Sequence, residues 1–322
     1  MNFFNNKTIL ITGGTGSFGS AATEFLMKKT KAKKIIIFSR DENKQFEMQK
    51  RLKDKRLRFF IGDVRDKERL VLAFKSVDFV IHAAALKQVP TAEYNPFECI
   101  KTNIDGSQNV ISAAIESGVQ KAIIISTDKA CNPVNLYGAT KLCAEKLFIN
   151  ANQLRFHKPE FSVVRYGNVI ASRGSVIPYF KELIKNKKTL TLTHPDMTRF
   201  FISLNQAVIF VLNSFAKMKG GEVYIPKMNS IFIKDLIYTL DAKSKFKITG
   251  VRPGEKINEV LFSKDESSSV YENKDAFLMY PSFFKNSLKK GKKTKISEYS
   301  SGDKTFLSIA KIKNIIKTIN LK

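Results

Sequence analysis

The sequence predicts an α/β fold, a doubly wound parallel sheet with a smaller α/β lobe in the second half of the chain. Short β-rich runs alternate with polar amphipathic stretches through the first half, the pattern of repeated strand–helix–strand units. The runs, at residues 8–12, 34–38, 58–61, 79–81, 122–125 and 162–164, are mostly continuous apolar stretches rather than alternating ones, as strands covered on both faces should be. Residues 41–52, 67–74 and 104–117 between them carry helical spacing.

The first run leads into Thr12-Gly13-Gly14-Thr15-Gly16-Ser17-Phe18-Gly19, and residues 20–29 then read as a helix. Gly13, Gly16 and Gly19 stand three apart. The first permits a tight turn, the second removes a side chain where backbone approaches a pyrophosphate, and the third lets helix and strand pack closely. The helix N-terminus adds unpaired N–H groups and positive dipole. In this strand–loop–helix setting the glycines specify a dinucleotide site, with Thr15, Ser17 and Phe18 in the same loop, and the fold is therefore Rossmann-type.

The second strand ends in Ser39-Arg40, with Lys44 nearby, where an NAD site usually places an acidic residue against the ribose hydroxyl. A hydroxyl and two cations suit a 2′-phosphate, so NADP is the expected cofactor. Asp41 complicates this reading, but it equally suits the cap of the next helix. Asp63 and Val64, at the end of strand three, are placed to contact adenine.

Strand five ends in Ser126-Thr127-Asp128-Lys129, and Tyr137-Gly138-Ala139-Thr140-Lys141 follows. The i, i+4 spacing puts Tyr137 and Lys141 on one helix face. A lysine cation beside the phenol is expected to lower the tyrosine pKa toward a general-base range. After about residue 174 the pattern changes: 175–185 and 204–216 read as helices, 222–225 as a short strand, and 306–319 as an amphipathic end. Residues 1–174 are assigned to the NADP-binding domain and 175–322 to a substrate lobe, with some later segments interleaved into the first.

Composition narrows the function classes. The net charge is +26, from 55 basic against 29 acidic residues, but the lysines are widely spread and the chain is rich in Ile, Asn and Phe and lacks Trp. An A+T-biased coding sequence accounts for that better than nucleic-acid binding does, and part of the excess would help draw in an anionic substrate. Three cysteines without a Cys-x-x-Cys pair and three scattered histidines (His82, His157, His194) indicate neither a disulfide framework nor a metal site. No apolar run approaches the roughly 20 residues needed to cross a bilayer, and the first residues have no signal-peptide character. A cytoplasmic protein without membrane or nucleic-acid partners is expected.

Taken together, these motifs resemble the extended short-chain dehydrogenase/reductase family, and within it the inverting UDP-N-acetylglucosamine 4,6-dehydratases (5-epimerising) that begin pseudaminic acid biosynthesis. The carriers are the loop at 12–19, SerArgAspGlu at 39–42, HisAlaAlaAlaLeuLys at 82–87 and the stretch 126–141. ArgTyrGlyAsnVal at 165–169, SerArgGlySerVal at 172–176, MetThrArgPhe at 197–200 and ValArgProGlyGluLys at 251–256 extend the likeness over nearly the whole chain. Retaining dehydratases of the superfamily usually carry Thr-Asp-Glu where this chain has Thr127-Asp128-Lys129, so Lys129 resembles the inverting branch. Asn258 departs from the family's usual His.

The resemblance implies that Tyr137, assisted by Lys141, takes the 4-hydroxyl proton while hydride passes to NADP, with Thr127 bonded to the 4-oxygen. Lys129 would then remove the C5 proton and Asp128 protonate the departing 6-hydroxyl. Hydride return to C6 and reprotonation of C5 from the other face would give a UDP-2-acetamido-2,6-dideoxy-4-keto-hexose of L-arabino configuration. The same resemblance puts Ala83 and Val169 along the cofactor and Lys87, Asn168, Arg199, Arg252 and Glu255 at the substrate, with the two arginines suited to the UDP pyrophosphate. It also implies a homo-oligomer, a dimer or hexamer. A 4-epimerase or reductase on the same scaffold is the alternative.

Overall fold

The computed structural model describes residues 1–154, 159–170, 175–242, 244–303 and 306–318. His157, residues 172–174 of the SerArgGlySerVal motif, the expected lobe boundary at 174 and the last position of the amphipathic end, 319, lie outside the described residues.

The first half is a regular alternation: β1 (Thr8–Thr12), α1 (Ser17–Lys29), β2 (Lys34–Ser39), α2 (Glu42–Leu52), β3 (Leu57–Ile61), α3 (Lys67–Phe74) and β4 (Phe79–His82). Two short helices follow, α4 (Val89–Tyr94) and α5 (Pro96–Ile100), then α6 (Gly106–Glu116), β5 (Lys121–Thr127), α7 (Leu136–Asn150) and β6 (Glu160–Tyr166). Residues 101–105 wind as a single π-turn into α6, so the helix expected from 104 begins as an overwide turn. The continuous apolar runs became interior strands for the reason they were so read: all five residues of β1 are buried.

Strands β3, β2, β1, β4, β5 and β6 pair in parallel in that order. Helices α1 and α9 (Leu204–Lys217) pack together on one face, and α3, α6 and α7 in a row on the other. The chain order reverses between β1 and β4, the switch point where such sheets open a ligand crevice. The expected Rossmann-type architecture is what the structure has.

The second half is divided between this sheet and a separate lobe. After β7 (Asn168–Val169), α8 (Val176–Lys185), β8 (Leu190–Leu192) and β9 (Thr198–Ile202), strand β10 (Val223–Pro226) pairs in parallel with β6. Next come β11 (Asn229–Phe232), α10 (Ile233–Leu240), β12 (Phe246–Ile248), β13 (Val260–Phe262) and α11 (Lys264–Ser267). Strands β14 (Val270–Glu272), β15 (Ala276–Met279) and β16 (Lys292–Lys293) then extend the large sheet antiparallel to its far edge. Finally β17 (Tyr299–Ser300) pairs with β13, and α12 (Ile309–Thr318) packs on α10. A small core of Ile177, Phe180, Leu190, Leu192, Phe201, Leu236, Ile237 and Ile312 holds the lobe, apart from the main core under the sheet. Among the described residues no helix is long and apolar enough to cross a membrane.

One buried cluster ties these parts together. Arg165 of β6 is fully buried, and its guanidinium donates to both oxygens of Glu145 on α7 at 3.0 and 2.6 Å. It also donates to Glu266 on α11 at 2.9 and 3.0 Å and to the carbonyl of Leu261 on β13 at 2.9 Å. Breaking such a pair strands a carboxylate inside, so Arg165→Met should cost about 3–5 kcal/mol in urea unfolding. A loss under about 1 kcal/mol would give the cluster only the weight of a surface ion pair.

Candidate active site

A cleft of about 650 Å³ runs along the carboxyl ends of the parallel strands. One stretch of its wall is Gly13, Thr15, Gly16, Ser17, Phe18 and Gly19; another is Ser39, Arg40, Lys44, Asp63 and Val64. Ala83 and Val169 lie between these and the Thr127, Asp128, Lys129, Tyr137 and Lys141 stretch, with Lys87 and Asn168 alongside. Gly13 has φ +64°, and a Cβ there would stand 2.8 Å from the Ala84 nitrogen, so the turn out of β1 demands glycine. Beneath it, His82 on β4 bonds Thr12 at 2.7 Å and Ser107 at 3.2 Å. Burial pushes its pKa down to about 3, with Lys141 adding to the effect, so the ring stays neutral.

At the adenosine end, Asp41 caps α2, accepting from the Lys44 N–H at 2.9 Å. Its carboxylate also pairs with the Lys44 ammonium at 2.5 Å. Arg40 lies 3.6 Å from Asp63, which Arg65 holds at 2.7 Å. The two cations expected to meet a 2′-phosphate thus line the cleft, each already beside a carboxylate.

The turn expected to be catalytic begins where β5 ends. Thr127 Oγ1 donates to Asp128 Oδ1 at 3.0 Å, and Lys129 Nζ donates to the same oxygen at 3.0 Å. Helix α7 is seated against this turn with no room to spare: a Cβ on Gly138 would come 2.2 Å from the Lys129 carbonyl oxygen. Asn135 caps α7 through the Gly138 N–H at 2.8 Å and donates to the Gly254 carbonyl at 2.8 Å, clipping the 252–255 turn to the helix start.

One electrostatic expectation needs correction. Lys141 was expected to lower the Tyr137 pKa; burial instead pushes the phenol up to about 12. The charge that opposes burial is that of Lys129, together with the hydrogen-bonding contact between the phenol and Thr127. Lys141 is itself brought down to about 8 by burial, against the pull of Glu145 and Cys99. Lys129, expected from the resemblance to act as a base, would do so as a neutral amine. Burial works to lower its pKa, but Asp128 and Glu259 outweigh burial and hold it as ammonium, above the ordinary lysine range. Burial raises the Asp128 carboxyl against that same lysine.

Glu259 was missed by the sequence reading. Its Oε1 lies 3.0 Å from Lys129 Nζ and 3.7 Å from Arg199 Nε. It closes the GlyGluLysIleAsnGlu stretch at 254–259, where attention fell on Asn258; an acidic residue ending a motif of charged residues was the available signal. Asn258 accepts from Thr198 at 2.7 Å, which gives it a packing role between β9 and the segment at 301.

Of the residues expected at the substrate, Lys87 and Asn168 border the cleft. Arg199 is buried on β9, donating to the Thr198 and Ile257 carbonyls at 2.7 and 3.0 Å, and exposed Arg252 pairs with half-buried Glu255 at 3.9 Å. Among the described residues, these three are not in the cleft wall. Nor do the described residues hold a group of His, Cys, Asp and Glu that would bind a metal ion.

A family model for a polysaccharide biosynthesis protein matches residues 9–281. An inverting UDP-N-acetylglucosamine 4,6-dehydratase of Campylobacter jejuni subsp. jejuni serotype O:23/36 is 57% identical over 87% of this chain and 84% of its own length. A UDP-glucose 4-epimerase of Rickettsia conorii is 41% identical over 98% of this chain and 97% of its own. The X-ray structure of Pen from Bacillus thuringiensis has a TM-score of 0.93 at 38% identity, covering 99% of this chain and 100% of that one. DesIV of Streptomyces venezuelae, a dTDP-glucose 4,6-dehydratase crystallised with NAD, shares the fold at a TM-score of 0.71 and 20% identity, over 79% and 87% of the two chains. With most of its length matched by the family model and by a relative of such identity, the chain belongs to the polysaccharide biosynthesis family, in the company of the inverting UDP-N-acetylglucosamine 4,6-dehydratases.

Proposed function

We propose that this protein is a lyase that dehydrates UDP-N-acetylglucosamine across C5 and C6, inverting C5, with NADP as resident cofactor. The observation that carries the reading is the contact of a buried carboxyl, Asp128, with the half-buried amine of Lys129, beside Tyr137 on the wall that also holds the glycine loop. Elimination needs an acid and a base at neighbouring carbons.

The cleft fits a nicotinamide dinucleotide: the Gly13 turn leaves backbone exposed at the head of α1, and Ser39, Arg40 and Lys44 supply a hydroxyl and two cations for a 2′-phosphate. Bound there, the nicotinamide would supply hydride chemistry, accepting from C4 and returning to C6. Tyr137 takes the 4-hydroxyl proton, and Lys141 and Thr127 orient the phenol and the 4-oxygen. Lys129 and Asp128 share one mobile proton across 3.0 Å. Its passage from ammonium to carboxylate makes the amine and the carboxylic acid together. The amine then accepts the C5 proton, the acid protonates the leaving 6-oxygen, the C5–C6 double bond forms, and the ammonium–carboxylate pair is restored.

The match to the Rickettsia protein favours a second reading, 4-epimerisation, which would leave the Asp128–Lys129 pair without work. In deuterated water the wild-type product should be a 6-deoxy-4-keto sugar carrying solvent deuterium at C5, and Lys129→Ala should nearly abolish its formation while leaving cofactor binding intact. A 4-epimer with its C5 proton retained would decide for the second reading.

For the cofactor, Arg40→Ala should weaken NADP more than NAD by about 1.5–3 kcal/mol, the worth of a charged hydrogen bond, as measured by titration calorimetry. Equal losses would remove Arg40 from 2′-phosphate recognition. For the hydride, substrate deuterated at C4 should give product deuterated at C6 even in excess unlabelled NADPH, and Tyr137→Phe should slow the transfer ~10²–10⁴-fold. Label appearing in free NADPH would point to a reductase.

A further inference from the structure

Glu259 belongs to the second half of the chain, yet its carboxylate ends beside the catalytic turn. We infer that Glu259 is a positioning residue for the elimination: it holds Lys129 at the cleft wall and stabilises the charge that the amine gains on taking the C5 proton. The inference rests on the dehydratase reading.

Glu259 is 2% exposed, directly before β13. Its backbone is pinned on both sides, the N–H donating to Ser301 Oγ at 2.9 Å and the carbonyl accepting from the Ser301 N–H at 2.8 Å. Oε1 faces Lys129 Nζ at 3.0 Å, while Oε2 is buried with no hydrogen-bond partner among the described residues. A buried carboxylate spends no such position on a surface pair; it is there for the cation it meets.

The charged and titratable groups around Lys129 come from every neighbouring element. Asp128 adjoins it on the turn, Tyr137 approaches from α7, Arg199 from β9, and Glu259 from the head of β13. Lys256, whose ammonium donates to the Cys131 carbonyl at 2.7 Å, acts on Glu259 from the same strap. Asp128 must change protonation in each turnover. Glu259, whose carboxyl Lys129 and Arg199 hold below the usual range against the effect of burial, keeps its charge throughout. It therefore strengthens the amine as an acceptor for a weakly acidic C–H without competing for the proton. Arg199, fastened by two backbone carbonyls, keeps Glu259 from turning fully onto the lysine.

The test compares the full-length NADP-loaded protein with Glu259→Gln and Glu259→Asp. Two readouts are taken across the neutral-to-alkaline range: acetylation of Lys129 by limiting acetic anhydride, followed by mass spectrometry, and deuterium incorporation at C5. Removing the negative charge makes the ammonium less stable, so in Glu259→Gln the labelling midpoint should fall by ~1 pH unit or more. The deuteration plateau should fall ~10²-fold, as a weaker and less well held base requires. Glu259→Asp should recover most of both. A folded Glu259→Gln protein whose labelling midpoint is unmoved overturns the inference, even if its activity is lost, because a merely structural role would do the same. Should Glu259→Gln not fold, Glu259→Asp decides: a smaller fall in both supports the inference and no change in either overturns it. If the midpoint shifts but the wild type forms no 4-keto product, the dehydratase reading fails and the Glu259–Lys129 coupling stands.

Discussion

A lysine that gives up most of its water needs carboxylates beside it, and much of the surroundings of half-buried Lys129 answers that need. Asp128 comes with the turn itself and Glu259 from the far part of the chain. Arg199 then balances the second carboxylate. These four residues bring β5, β9 and the approach to β13 to one point. The cost of leaving any one of them alone in the interior makes the arrangement all-or-none. The second lobe is thus joined to the Rossmann sheet by electrostatics at the site as well as by strand pairing at the edge.

Around that point the backbone is fitted closely enough that side-chain chemistry has little freedom. Gly138 lets α7 lie against the Lys129 carbonyl, and Asn135 serves at once as helix cap and as anchor for the 252–255 turn. Farther down the same helix, Glu145 pairs with Arg165 of β6, which also holds Glu266 of α11, so that α7, β6 and α11 are fixed together. Tyr137 therefore reaches the cleft from a helix held at its start and in its middle. Such support is what holds a side chain at one place in a cleft.

The parallel sheet was legible because both faces of each inner strand are covered, which removes the alternation an exposed face would impose on runs such as residues 8–12 and 34–38. The glycine loop and the Thr127–Lys141 stretch were legible because each is a local pattern serving a local geometry. What was hidden depends on distance along the chain. Nothing in spacing shows that Glu259 meets Lys129, that Arg199 turns inward, or that 270–279 rejoins the sheet beyond β10. The direction of the Tyr137 shift was misread for the same reason: spacing gives the neighbour, Lys141, but not the depth of burial that governs the phenol.

The return of the chain to its own sheet sets an order of events during synthesis. Strand β6 is complete by residue 166, but its neighbour β10 begins at 223, and the antiparallel cap of β15, β14 and β16 follows only from 270 onward. Until then a nascent chain carries an apolar strand edge with no partner, the kind of edge that recruits other chains. The finished protein ends the sheet in a two-residue strand of exposed lysines, Lys292 and Lys293, a poor template for further pairing. A chain released early would hold the glycine loop and Tyr137 but neither Glu259 nor that guard, leaving a sticky half-sheet.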